Sequence, residues 1–321
     1  MPRGARGAIG DSGPGLWPGT YPPGGVPNHI TIQAPAKLNL ALSVGPADDQ
    51  GMHPICSWMV TVDLFDELDV TRLAPDRLSR YAILWHEEAK RRTEIDWSVT
   101  RDLAVRAHLT LEHHLGRRLP VQMKLQKRIP VGGGLGGGSS NAGAMLRATN
   151  ALYDLSLSVD DLCEIATGLG SDVPFFVRGG SAIVEGLGER IEPKPAVRPL
   201  HAVVVFPEVS CPTGQVYCMF DELESRALRP DVVRALVDSP SSQQPDGLFN
   251  DLAAAAVRVA PSLEAHLAQL SQLAERPAHV AGSGSSIFVV CDDEAHAQAL
   301  ADAVEGKLGL PAIPVRSVSD E

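Results

Sequence analysis

The segment Pro130–Asn150, PVGGGLGGGSSNAGAMLRATN, decides how this chain is read. Six glycines lie between Val131 and Ser139, interrupted only by Leu135. Ser139, Ser140 and Asn141 follow, and then an Ala/Met/Leu/Arg run with helical character. Glycines do not shield their backbone, so successive N–H groups are free to converge on one guest. A glycine-rich turn that feeds a helix N-terminus favours an anion, most commonly a phosphate. Ser139 is the expected N-cap. A flexible linker would also be rich in glycine, but it would not be framed by a strand pattern on one side and an immediate helix on the other.

Two familiar phosphate loops do not fit. A Walker loop ends in Gly-Lys-Ser/Thr, and no lysine lies between Arg128 and Arg147. A dinucleotide fingerprint needs an acidic residue about 20 positions on, at the end of the next strand. Here Asp154 and the acids near 160 fall in or beside helical pattern. The loop is therefore a phosphate cradle of a third kind.

Working outward, Val121, Met123 and Leu125 alternate with polar residues and form the strand entering the loop. Lys124, Lys127 and Arg128 place positive charge just before it. Leu103, Ala107, Leu111 and Leu115 recur at spacing four, which predicts a helix over Thr100–Gly116. Further upstream, Ala36–Val44 alternates strictly: Leu38, Leu40, Leu42 and Val44 face one way, Lys37 and Asn39 the other. Read alone, that polar side is a solvated sheet face. A turn over Gly45–Met52 and strands over His53–Val62 and Glu67–Leu73 follow; Pro75–Glu94 shows no assignable pattern.

Downstream of the loop, Ser158 with Asp161 three residues on resembles a capping box and opens a second helix ending at Gly168–Gly170. Ser171-Asp172-Val173-Pro174 is then a turn displaying one carboxylate. Phe175–Arg178 and Ser181–Glu185 read as a hairpin about Gly179-Gly180. Three prolines in Pro193–Pro199 mark a domain boundary. The second part opens on a buried strand, Ala202–Phe206. Helical segments follow near 213–225, 230–237, 249–258 and 261–274. A second small-residue loop, Gly282–Ser286, precedes a strand at Ile287–Cys291, a helix over 293–306 and a last short strand. The expected organisation is a Gly/Pro-rich extension over 1–28 without fixed structure, one domain over 29–194 and another over 195–321.

Composition bounds the function. A net charge of −11 disfavours broad nucleic-acid or membrane-surface binding. No apolar run reaches the length of a membrane span. Five cysteines without CxxC spacing point to free thiols in a reducing cytoplasm. Ten histidines form no HExxH or His-x-His cluster, so no structural metal site is expected. The sequence leaves the oligomeric state open, a homodimer included.

A phosphate cradle without a loop lysine needs positive charge from elsewhere, and a group to take the proton of an attacking hydroxyl. Lys37 is the candidate for the first. Asp172 is the candidate for the second, although a turn carboxylate is an equally good reading of it. Ser139 or Ser140 could give an oxygen to Mg²⁺ on a nucleotide.

Pro35-Ala36-Lys37-Leu38-Asn39-Leu40, then Pro130–Asn141, then Ala281–Ser286 resemble, in order, the three motifs of the GHMP kinase superfamily. Gly170–Phe176, GSDVPFF, narrows the resemblance to the branch acting on a cytidine diphosphate conjugate of methylerythritol. The resemblance covers His29 to the C-terminus. It implies an α+β fold of two domains, the first like domain 2 of ribosomal protein S5 and the second ferredoxin-like. It implies ATP as co-substrate with Mg²⁺, and phosphorylation of the erythritol 2-hydroxyl in the non-mevalonate route to isoprenoids. Another small-molecule alcohol is the alternative acceptor.

By resemblance, Asp172 acts on the hydroxyl proton and Lys37 stabilises charge beside it, with Asn39 in the same cluster. Pro130, Val131, Gly132, Gly133, Gly134, Leu135, Gly136, Gly137, Gly138, Ser139, Ser140 and Asn141 would hold ATP. His53 would hydrogen-bond the cytosine, and Thr213 and Tyr217 fall where a second aromatic closes its other face. Two positions depart from the pattern: Met52 stands where the branch carries an aromatic, and Arg101-Asp102-Leu103 where it often shows Asn-Leu.

Overall fold

The structure, a computed structural model, describes residues 27–194, 199–223, 227–239 and 247–318. The extension expected over 1–28 falls almost wholly outside the described residues, as do residues 195–198, on which the domain boundary was expected.

The first half contains β1 (His29–Val44), β2 (Ile55–Arg72), β3 (Arg80–Trp85), α1 (Leu103–Leu115), β4 (Val121–Lys127), α2 (Gly137–Leu152), α3 (Val159–Thr167), α4 (Val173–Arg178), β5 (Ser181–Gly186) and β6 (Arg190–Pro193). The second contains β7 (His201–Val205), α5 (Thr213–Glu222), α6 (Pro230–Asp238), β8 (Phe249–Asn250), α7 (Ala253–Val259), α8 (Ser262–Ala274), β9 (His279–Val280), β10 (Ile287–Cys291), α9 (Glu294–Leu308) and β11 (Ala312–Arg316).

β1 and β2 form a long antiparallel ribbon, and β2 continues through the gap expected between two strands. The pairing shifts between Pro35/Ala36: Pro35 opposes Phe65, but Ala36 opposes Val62. This irregularity re-aims Lys37 and Asn39 relative to the strand start. The C-terminal half of β2 pairs with β4 and its N-terminal half with β5. The unassigned stretch after Pro75 supplies β3, parallel to β4. The second sheet has the order β11-β7-β10-β9. Counted within that sheet alone, the order is 4-1-3-2 with helices in the two crossovers, a ferredoxin-like arrangement. β8 leaves this half to pair in parallel with β1, at Ala41 and Leu42.

Three apolar layers result. α1, α2 and α3 cover one face of the first sheet through Leu111, Met145 and Leu162. Leu38, Leu40, Val60, Val204 and Phe288 join the two sheets. Phe175 and Phe176 pack with Val205, Phe220 and Leu263 on the far side. β1 is therefore buried on both faces from Ala36 to Val44. Its polar side is covered by the glycine loop of the first half together with the Gly282 loop of the second: Lys37 is 4% and Asn39 2% exposed.

Two local expectations are corrected. Residues 173–178 form α4 rather than the first arm of a hairpin; Pro174 suits the first turn of a helix, and Gly179, at φ 80°, ends it. The N-cap of α2 is Gly136 in the left-handed region, φ 72°, not Ser139, which lies inside the first turn. The capping box at Ser158 and Asp161 is present with both reciprocal bonds. Among the described residues no helix is long and apolar enough to cross a membrane.

Candidate active site

The glycine loop is held from three sides. The Lys37 amide donates to the Leu135 carbonyl at 3.0 Å, which stitches β1 to the loop. The Ser286 amide donates to the Gly133 carbonyl at 3.2 Å, which stitches the second small-residue loop to the first. Behind the loop, the buried Asp66 carboxylate accepts from the Arg128 amide at 2.6 Å, the Ile129 amide at 2.8 Å and the Asn141 side chain at 2.9 Å. It also pairs with the Lys127 ammonium. One carboxylate thus fixes the end of β4 and the first turn of α2 together.

The need for glycine is steric at Gly134. Its φ is +75°, and a Cβ there would sit 1.9 Å from the Ala281 carbonyl oxygen. Gly134→Ala is therefore expected to force the two loops apart, raising the KM for ATP and costing about 1–3 kcal/mol of stability. Nucleotide titration together with a thermal melt checks this; an unchanged KM and melting temperature would contradict it.

With the loop held this way, the first-turn amides of α2 have no intrahelical partner and carry the positive end of the helix dipole. That end opens into a cavity of about 740 Å³. Lys37, Asn39, Met52, His53, Pro130–Ser139, Asp172, Thr213 and Tyr217 all line it. Residues separated by up to 180 positions in sequence are so brought to one wall system. Ser140 and Asn141 are not part of the lining. Both are buried, at 1% exposure, and Asn141 spends its amide on Asp66. Of the two serines weighed for a nucleotide-bound cation, Ser139 alone faces the cavity.

Lys37 Nζ lies 3.7 Å from Asp172 Oδ2. It also donates to Asn39 Oδ1. Asn39 in turn donates to Ser57 Oγ at 2.8 Å, and Ser57 to the Ala41 carbonyl at 2.8 Å. This chain fixes the amide orientation of Asn39 and so aims the ammonium. Asp172 sits at the N-cap of α4 but makes no side-chain capping bond. Its carboxylate is 27% exposed and turns toward Lys37 instead, into the cavity. Asp172 therefore does not cap α4 with its side chain. Lys127 also reaches the cavity, but its charge is answered by Asp66; Lys124 is exposed on the other side of β4.

At the other end of the cavity, the His53 and Tyr217 rings stand 5.0 Å apart at 41°. Burial, with a smaller push from Asp172, raises the Tyr217 phenol to about 12, so it stays protonated as a donor. Thr213 Oγ1 lies 3.0 Å from Ser283 Oγ, joining α5 to the second loop. Met52 is 43% exposed and projects at the rim.

Reading the sequence missed Asp66, Trp97 and Leu187. Trp97 and Leu187 line the cavity from loops with no periodic signal. Asp66 did carry a signal: it shares the inward face of β2 with Leu64, Leu68 and Val70, where a lone carboxylate needs partners. Asp102, at the departure from the Asn-Leu pattern, caps α1 by accepting from the Ala104 amide at 2.9 Å and also borders the cavity.

A family model described as GHMP kinases N terminal domain matches residues 102–180, and one described as GHMP kinases C terminal matches residues 235–309. A 4-diphosphocytidyl-2-C-methyl-D-erythritol kinase of Exiguobacterium sibiricum is 34% identical over 284 residues, 86% of this chain and 94% of that protein. The chain belongs to the 4-diphosphocytidyl-2-C-methyl-D-erythritol kinase family of the GHMP kinases. A family member from a Caulobacter species is 37% identical over 85% of this chain and 92% of its own length. A crystal structure of a 4-(cytidine 5'-diphospho)-2C-methyl-D-erythritol kinase superposes with a TM-score of 0.72 at 31% identity, covering 89% of this chain and 98% of that one. A homoserine kinase from Cytophaga hutchinsonii shares the fold, with a TM-score of 0.63 at 17% identity.

Proposed function

We propose that this chain transfers the γ-phosphoryl group of ATP to the 2-hydroxyl of 4-diphosphocytidyl-2-C-methyl-D-erythritol, in the non-mevalonate isoprenoid route. The observation that carries the chemistry is the Lys37–Asp172 pair at 3.7 Å, in the same cavity as the open N-terminus of α2. The α2 amides and the glycine backbone hold the nucleotide phosphates. Asp172 accepts the proton as the substrate O–H breaks; that oxygen bonds to the γ-phosphorus as the bond to the β-phosphate oxygen breaks, and ADP leaves. Lys37, held by Asn39, offsets the negative charge that builds on the transferring group.

Mg²⁺ travels with the nucleotide in this reading. Among the described residues no group of three His, Cys, Asp or Glu side chains is placed to hold a metal. The hard hydroxyl of Ser139 beside the phosphate cradle suits a cation carried by phosphate oxygens. Such a cation would supply charge neutralisation there. The setting that suits this route is the cytoplasm.

The cytidine end falls between Met52, His53 and Tyr217. Met52→Tyr is expected to tighten cytidine nucleotides a few-fold, since a stacked ring pair is worth about 0.5–1.5 kcal/mol beyond its buried area and orients the base, whereas a thioether contact of about 0.3–1.5 kcal/mol is less directional. Competition by CMP measures it; unchanged or weaker competition would place the base elsewhere. The reading as a whole is tested by ADP release with ATP, Mg²⁺ and the cytidyl substrate. No turnover by folded protein would overturn it. Met52 also favours a second reading, a GHMP kinase with a different alcohol substrate, for which CMP and CDP would not compete.

A further inference from the structure

The segment between β3 and α1, residues 86–102, leaves the first half of the chain and lies against the second. Trp97, Arg101 and Asp102, at its end, line the cavity. Two cations fasten its middle. Lys90 Nζ lies 2.6 Å from Glu305 Oε1 on α9, but both side chains are exposed, and a surface pair of this kind adds little. Arg91 is different. Its half-buried guanidinium donates to the Val209 carbonyl at 3.0 Å and to Ser285 Oγ at 3.3 Å. Ser285 is buried inside the Gly282–Ser286 loop, and Val209 lies just ahead of α5. One planar fork thus joins the second small-residue loop to the lead into the helix that carries Thr213 and Tyr217.

A small displacement of that loop would reach the reacting groups. A Cβ on Gly282 would sit 3.2 Å from Lys37 Nζ and 3.3 Å from Asn39 Oδ1, so the loop backbone packs directly on the lysine. The Ser286 amide holds the Gly133 carbonyl of the cradle. The Asn250 side chain donates to the Val280 and Gly282 carbonyls at 2.8 and 2.7 Å, and Thr213 meets Ser283. Asn250 and Thr213 belong to the second half of the chain. Arg91 comes from the first and, together with the Ser286–Gly133 bond, ties the loop to the half that carries the cradle.

We propose that Arg91 is a positioning residue for phosphoryl transfer: its guanidinium, bridging the Val209 carbonyl and Ser285 Oγ, holds the Gly282–Ser286 loop against the glycine loop and Lys37. The reaction it serves rests on the proposed function. Arg91 is not among the residues lining the cavity, and it acts through Ser285. A lysine at 91 would keep the charge and lose the fork.

The test is kcat/KM for ATP with the cytidyl substrate, and the Kd for ATP, both expressed per folded molecule, in wild type, Arg91→Ala and Arg91→Lys. Arg91→Ala should lose about tenfold to a hundredfold in kcat/KM, the scale on which small misplacements of reacting groups are felt, and should bind ATP more weakly. Methylguanidinium added to the assay should restore part of the loss, and Arg91→Lys should fall between Arg91→Ala and wild type. Wild-type values in Arg91→Ala would overturn the proposal. So would a loss that methylguanidinium does not relieve, or one that vanishes once the unfolded fraction is counted, which would leave Arg91 a purely structural role. If Arg91→Ala does not fold, Arg91→Lys decides: a several-fold loss supports the proposal, and wild-type values overturn it. Wild type that binds ATP without turning over the cytidyl substrate would overturn the kinase reading, while the ATP Kd of the variants would still decide whether Arg91 sets the cradle.

Discussion

Asp172→Asn is expected to lower kcat by about 10²–10⁴-fold, the usual contribution of a positioned general base, while ATP still binds. The substitution keeps the shape of the side chain and removes its basicity. The fold depends on the charge only through Lys37, which keeps its bond to Asn39, because Asp172 makes no capping bond and its carboxylate faces the cavity. In the proposed function the phosphates are held by the glycine loop and the α2 amides, not by this carboxylate. Loss of turnover should therefore come without loss of the nucleotide complex. Single-turnover kinetics with a fluorescent ATP analogue separates the two. Full turnover in Asp172→Asn would remove the residue from proton transfer. Parallel loss of turnover and nucleotide binding would mean that the carboxylate shapes the cradle instead.

Asp66→Ala should be the most destabilising single change near the site, by about 3–5 kcal/mol. The side chain is fully buried and accepts from two backbone amides and the Asn141 amide, besides the Lys127 ammonium. Truncation leaves Lys127, 3% exposed, as an uncompensated buried charge and orphans three N–H donors at once. The urea midpoint should fall with little change in slope, and Asp66→Asn should fall less, since one carbonyl oxygen remains to accept. A midpoint within experimental error of wild type would contradict the account of how the loop is anchored. The change should also raise the KM for ATP, because the same carboxylate sets the start of α2.

The parts of this site that were legible in the sequence are those set by local rules. The glycine run announces a close approach of backbone to an anion, and the alternation from Ala36 to Val44 places Lys37 and Asn39 on one face. Which face meets solvent is not local. The polar side of β1 is buried under the glycine loop and under β8 and the loop at Gly282, which come from more than 200 residues away, and no pattern within β1 reports that. α4 is hidden for a different reason: six residues are too few for a helical period to show. Pro174 and Gly179, which bound that helix, serve equally well as turn residues. The N-cap of α2 passed from Ser139 to Gly136 because the loop needs a left-handed residue where the chain turns into the helix, and glycine adopts that without strain. Asp66 was hidden by its reach, since its partners lie 61 to 75 positions away.

In the proposed function the Lys37–Asp172 pair and the glycine cradle act on one phosphoryl group between ATP and a cytidyl alcohol. Phosphorus NMR of the product formed from ATP and 4-diphosphocytidyl-2-C-methyl-D-erythritol tests it most directly. The expected product carries a new phosphomonoester on the erythritol 2-oxygen and an intact cytidine diphosphate, with one ADP formed per product. A product phosphorylated at another hydroxyl, or ADP formed without any new phosphomonoester, would contradict it.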